Sequence, residues 1–345
     1  MRKVDCLIVG GGPAGLAAAV NLARMRRDVL VVDDRDGRSL WGQVNRNYLG
    51  FPRGVSAARM RLAGRSQAAA YGARFLGGRV ASARSDSEGF VLRLEPAPAA
   101  PPDGEGRADY ARRDRDHGEA LGEEPVQAPL EIEARTLILA TGVRDSFPRF
   151  PGWAECVGVS LFWCINCDGY EMAGKRVAVV GHDEDAAETA LDLLDFTPNV
   201  VVVAGRAEGF HLSPIRLKDL ADEGIAAHPR AVREYDSRRG RIRALVLDDD
   251  AATRLTVDAV FAYRRPVPRN EIALALGAAV NELGHIVVDS EQRTSVPGLY
   301  AAGDVTSPHD HQVAAAVHEG TQAAAAANYR LYRPVQRTRG GRDEG

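Results

Sequence analysis

Val4-Asp-Cys-Leu-Ile-Val9, Gly10-Gly-Gly-Pro-Ala-Gly15, an alanine-rich stretch from Leu16 to Arg26 and Val29-Leu-Val-Val32 follow one another, and Asp33 closes the series. The two apolar runs have strand length, and the alanine-rich stretch suits a helix, so the chain opens on a β-α-β unit. Gly10, Gly12 and Gly15, with Pro13 and Ala14 between them, give the G-x-G-x-x-G spacing at the strand-to-helix turn. Small residues there let backbone N–H groups approach a pyrophosphate at a helix N-terminus. Asp33 lies about twenty residues past Gly10, where a carboxylate accepts hydrogen bonds from a ribose hydroxyl and repels a 2′-phosphate. FAD and NAD both fit this loop, and NADP does not.

A second unit of the same kind starts near Lys175, with strands at Val177–Val180 and Val200–Val203 around a helix at Asp185–Asp195. The chain therefore repeats one supersecondary design twice, as doubly wound α/β folds do. Leu137–Gly142 and Leu299–Asp304 read as further buried strands stopped by glycine. The segment 95–129 is rich in Pro, Ala, Gly and mixed charge and has little apolar surface. It reads as a disordered loop between strands at Phe90–Leu94 and Leu130–Ala134.

With 345 residues, 45% of them hydrophobic, the chain can bury two cores. A net charge of -3, with arginines spread along the chain, offers no field for a polyanion, so nucleic acid is not an expected partner. No apolar stretch approaches the roughly 20 residues that span a bilayer, and the sequence runs from Met1 straight into a strand. It therefore reads as cytoplasmic, with no membrane association.

Four cysteines in this length do not make a secreted disulfide scaffold. Cys164 and Cys167 lie three apart, a spacing that places Cα atoms about 5.5 Å apart on a helical turn and permits a reversible disulfide. The same spacing suits half of a zinc site, but only Cys156 and Cys6 remain as further thiols, so no metal is expected. His309-Asp310-His311 supplies two imidazoles on a loop with no third partner, a poor metal site.

Six segments then occur in a fixed order: Gly10–Gly15, Gly42-Gln43, Asn47–Pro52, Ala140-Thr141-Gly142, Cys164-Ile-Asn-Cys167-Asp168-Gly169, and Thr294 through Gly303-Asp304-Val305. In these the chain resembles the low-molecular-weight thioredoxin reductases. That resemblance implies FAD as the cofactor, held by a split domain at 1–154 and 258–335 around an inserted NADPH-type domain at 155–257. It implies that Gln43 and Asn47 line the cofactor, that Asp304 bonds the ribityl chain, and that Gln312-Val313 begin a helix aimed at the reduced flavin. It implies that Cys167 faces the flavin, that Cys164 attacks the substrate disulfide, and that Asp168 moves the proton. A homodimer, and an inserted domain that rotates, are likewise the family's habit. His311 departs from the arginine usual beside the glutamine.

The second loop departs further. It reads Gly181-His-Asp183-Glu184-Asp185-Ala186, with a carboxylate in place of the middle glycine, and the strand after it ends Ala204-Gly205-Arg206 where the family has His-Arg-Arg. A carboxylate there repels a pyrophosphate and suits a self-capped helix. The expectation is weak or absent NADPH binding, a donor such as ferredoxin, and a thioredoxin-like protein as acceptor. Three alternatives stay open: an oxygen-using oxidase of small dithiols, an ordinary NADPH-thioredoxin reductase, and a flavin redox sensor without turnover.

Overall fold

The computed structural model describes residues 2–41, 43–97, 117, 119–262, 265–307 and 311–333. The opening unit forms as read: a strand at Arg2–Val9, a helix at Pro13–Arg24 and a strand at Val29–Asp33. A parallel run places Arg74–Gly77 beside Leu30–Asp33, then Cys6–Val9, then Leu137–Leu139, then Leu299–Ala301. The strands are buried on both faces, which is why they read as unbroken apolar runs. One face packs on the helices Pro13–Arg24 and Val313–Arg330, through alanines that permit close approach.

Two expectations are corrected. Leu130–Ala134 and Leu137–Gly142 are not separate strands but one, Leu130–Leu139. On one edge Leu130–Ala134 pair antiparallel with Gly89–Pro96, and on the other Ile132–Leu139 pair parallel with the opening strand. Thr136, buried in the middle, hides the continuity from a pattern reading; its hydroxyl donates to Asp5 O at 2.9 Å. The segment 95–129 is also not disordered throughout. Residues 98–116 and 118 lie outside the described residues. The return limb is built into the domain: Glu124–Pro125 pair with Leu76–Gly77, Val126 joins the core, and Glu123 is buried. Its signal was invisible to composition because it consists of single residues finding distant partners.

The second unit forms a five-stranded parallel sheet, in the order Leu161–Phe162, Ala259–Ala262, Val177–Gly181, Val200–Ala204 and Ala226–His228. A boundary at 258 would assign Ala259–Ala262 to the flavin-type domain, but these residues pair with both neighbours in the second sheet. The helix expected at Asp185–Asp195 runs from Glu184 to Asp192 and tightens into a short 3-10 turn at Leu193–Asp195. A three-stranded antiparallel sheet, Val232–Arg238, Arg241–Leu247 and Arg254–Thr256, packs beside it.

Candidate active site

A cavity of about 730 Å³ runs from the first glycine loop to the cysteine pair. Two glycines of the loop are required by the fold. A Cβ at Gly15 would stand 1.9 Å from Gly10 O, and one at Gly10, whose φ is +107°, would stand 2.2 Å from Ala140 O. At Gly12 a Cβ would meet nothing within 4 Å, so the space there is open to a ligand. The helix it begins, with Pro13 and Ala14 in its first turn, has no side-chain cap and no acidic residue in that turn. Uncapped N–H groups and the positive helix end facing a cavity fit a pyrophosphate. The residues thus fit FAD, which supplies an isoalloxazine able to carry an electron pair.

Asp33 lines this cavity and is held by the protein: Gly11 N donates to Oδ1 at 3.2 Å, and Arg61 pairs with Oδ2. Burial would raise the Asp33 carboxyl, but the guanidiniums of Arg61 and Arg65 outweigh it and bring it down to about 2. Arg65 in turn pairs with Glu123, as does Arg35 at 2.6 Å. Asp33 is legible in the sequence, but Arg61 and Arg65 of a later helix, which pair with it, and Glu123 of the return limb, which pairs with Arg65, are not.

Further along, Ala140, Thr141 and Gly142 wall the cavity, with the Thr141 hydroxyl donating away to Arg269 O at 2.6 Å. Gly303 and Asp304 form the facing wall. Arg38 bridges Asp304 at 2.8 Å and Asp145 at 2.5 Å, and Glu319 accepts from Gly303 N at 2.6 Å. Gln43 donates to Arg38 O at 3.1 Å. Arg38 is thus a further lining residue with no motif to announce it, and Asp145 and Glu319 hold lining residues in place from behind.

At the far end of the cavity Cys164 and Cys167 form a disulfide, Cα to Cα 5.3 Å, with Ile165–Asp168 as a single helical turn. Gln312 and Val313, the start of the helix Val313–Arg330, stand against it. The amide Nε2 of Gln312 lies 3.5 Å from Cys164 Sγ and 3.6 Å from Cys167 Sγ. Asn47 donates to Gln312 Oε1 at 2.8 Å. The glycine loop, the disulfide and the helix end, far apart in sequence, therefore share one cavity.

Asp168 is buried beside the pair, and that burial pushes its carboxyl up to about 7. Arg46, at 3.8 Å, works against the rise, while Glu171 adds to it. A carboxyl titrating near neutrality can hold a proton and release it to a new thiolate. Cys6 is buried in the first sheet with its thiol pushed up to about 12 by burial, and Cys156 is raised likewise, so neither is reactive. Among the described residues no group of three metal-ligating side chains occurs; His309 and Asp310 lie outside them, and His311 bonds Ser307 O at 2.8 Å.

The acids of the second glycine-type loop are engaged by the protein itself. Asp183 is the N-cap of the helix Glu184–Asp192 and accepts from Ala186 N at 3.3 Å. Glu184 accepts from Ser213 N at 2.5 Å, and Asp185 pairs with Arg265 at 2.8 Å. His182 O accepts from His211 N at 2.6 Å. The contrast with the bare first helix is direct: one N-terminus awaits an anion, and the other carries three carboxylates.

The model of the pyridine nucleotide-disulphide oxidoreductase family matches residues 4–320. The thioredoxin reductase of Treponema pallidum is 29% identical over 94% of this chain and 96% of its own length. One component of the alkyl hydroperoxide reductase of Pseudomonas putida is 28% identical over 95% of this chain, which spans 58% of that protein. The crystal structure of HlmI superposes with a TM-score of 0.77 at 27% identity, over 95% of this chain and 92% of that one. A bare dinucleotide loop, a disulfide in the same cavity and a family match over nearly the whole chain agree: the protein belongs to the pyridine nucleotide-disulphide oxidoreductases and is an FAD-binding, thioredoxin reductase-like disulfide oxidoreductase.

Proposed function

We propose that the chain reduces a thioredoxin-like disulfide with electrons from a carrier other than NADPH, such as reduced ferredoxin. The observation that carries the donor reading is Asp183, whose carboxylate occupies the helix N-terminus where a pyrophosphate would sit. Glu184 and Asp185 add charge of the same sign in that helix turn. The acceptor reading draws support from the thioredoxin reductase relative and from Asp168 beside the disulfide.

In this reading two electrons break the Cys164–Cys167 bond and leave one thiol and one thiolate. Cys164, as thiolate, attacks one sulfur of the substrate disulfide and expels the other, which takes a proton. Cys167 then attacks the mixed disulfide, restores the intramolecular bond and releases the reduced substrate. Asp168 holds the proton that moves. Gly10, Gly12, Pro13, Ala14 and Gly15 bind the cofactor pyrophosphate, Asp33 its adenosine ribose, and Asp304 its ribityl chain. The working unit is a homodimer in the cytoplasm.

The test is anaerobic turnover with thioredoxin as acceptor and photoreduced ferredoxin as donor, followed by free-thiol release. Stoichiometric thiol from two equivalents of ferredoxin supports the proposal. Oxygen uptake and peroxide with a small dithiol, and no thiol release from thioredoxin, would replace it with a dithiol oxidase.

A further inference from the structure

We propose that Asn47 is a positioning residue that sets the orientation of the Gln312 amide, so that an N–H donor and not a carbonyl faces the cysteine pair. The inference rests on the reading that Cys164 and Cys167 cycle between disulfide and dithiol.

A backbone carbonyl can only accept a hydrogen bond. Asn166 O, inside the turn between the two cysteines, lies 3.2 Å from the Asn47 side-chain nitrogen. Turning the Asn47 amide over would set oxygen against oxygen there, so its NH2 group is fixed toward Asn166. The same NH2 donates to Gln312 Oε1 at 2.8 Å. Gln312 Oε1 therefore bonds Asn47, and Nε2 is the amide atom nearer to Cys167, at 3.6 Å against 3.9 Å for Oε1, and lies 3.5 Å from Cys164. A second observation agrees. Gln312 is the N-cap residue of an eighteen-residue helix, yet its side chain makes no capping bond to that helix.

The consequence appears on reduction. When the S–S bond takes up an electron pair and one proton, one sulfur keeps a negative charge. A donor N–H near it stabilises the thiolate, whereas a carbonyl oxygen in that place would repel it. Asn47 acts through Gln312 and touches neither sulfur. Because it sits on the flavin-type domain and binds the Cys-x-x-Cys turn, the relay exists only while the pair stands at the cavity.

The experiment is anaerobic alkylation of the dithiothreitol-reduced holoenzyme with iodoacetamide across pH, giving the apparent midpoint of the pair. It uses no ferredoxin, NADPH or thioredoxin, so it can fail independently of the donor and acceptor proposed above. Gln312→Leu should raise the midpoint by about one unit, which is about a tenfold loss of thiolate at fixed pH. Asn47→Leu should raise it in the native background and add nothing in a Gln312→Leu background, because its effect passes through the amide. The isosteric Gln312→Glu, which replaces the donor by an acceptor, should raise the midpoint further and covers the case in which the leucine variants do not fold. An unmoved midpoint in the Gln312 variants, or an equal Asn47→Leu shift in both backgrounds, overturns the proposal.

Discussion

A carboxyl group buried beside a disulfide pays for its charge in lost hydration, and Asp168 shows the result in a carboxyl that titrates near neutrality. The folded state holds this proton up to about 7, whereas an unfolded carboxyl releases it near its usual value of about 4. Between those limits the native state binds more protons than the unfolded state, so stability falls as pH rises through the window. The penalty is absent below it and complete above about 7. Asp168→Asn should remove this slope, measured as denaturation midpoints at a series of pH values. A variant that keeps the native slope would place the titrating group elsewhere. Reductive cleavage of the disulfide by a fixed donor should slow as Asp168 deprotonates, and the same variant should be slow at every pH. Cys164, Cys167 and Asp168 were legible because their chemistry is carried by neighbours in the chain. Arg38, Asp145 and Arg61 were not, since each gains its role from a partner far along the sequence, as with Arg38 and Asp304 at a separation of 266.

At the scale of elements, two helices that start after similar glycine-type turns have been given opposite ends. Gly12 begins the first with no side-chain cap, and Asp183 caps the second. Replacing Asp183 by Ala should cost about 1 kcal/mol of stability, read by thermal or urea denaturation, because one helix donor loses its acceptor. Gly12→Val should leave the fold intact and weaken FAD retention, since its side chain points into open space. Gly15→Val should fail to fold, since its Cβ is aimed at Gly10 O. The return limb of the 95–129 segment makes the strongest prediction. Removing the Glu123 carboxylate takes from Arg65, a fully buried side chain, a close anionic partner and leaves its cation to share Asp33, at 3.9 Å, with Arg61. Glu123→Ala should cost about 3 to 5 kcal/mol, whereas replacing the neighbouring exposed Glu124 should cost under about 0.5 kcal/mol. The β-α-β units were readable from hydrophobic runs and glycine spacing, which are local signals. The union of Leu130–Leu139 into one strand was not, because one of its edges changes partner from Gly89–Pro96 to Leu299–Ala301, strands distant in sequence.

For the whole molecule, the flavin-type domain and the inserted sheet meet at the disulfide, where Asn47 and Arg46 of one bind Asn166, Asp168 and Glu171 of the other. The family resemblance carried by the motifs implied that the cysteine pair stands against the flavin. Which residues hold the contact was not legible, because Arg46 and Asn47 carry no signature beyond their place in a loop. The central claim is that this meeting of flavin and disulfide survives while the nicotinamide site has been closed by its own carboxylates. The most direct test is an anaerobic titration of the purified holoenzyme with stoichiometric NADPH, followed by flavin absorbance. The account predicts an oxidised spectrum that persists with NADPH and bleaches when photoreduced ferredoxin follows. Rapid and complete bleaching by NADPH alone would contradict it, and would mean that Asp183 and its neighbours do not bar the nucleotide.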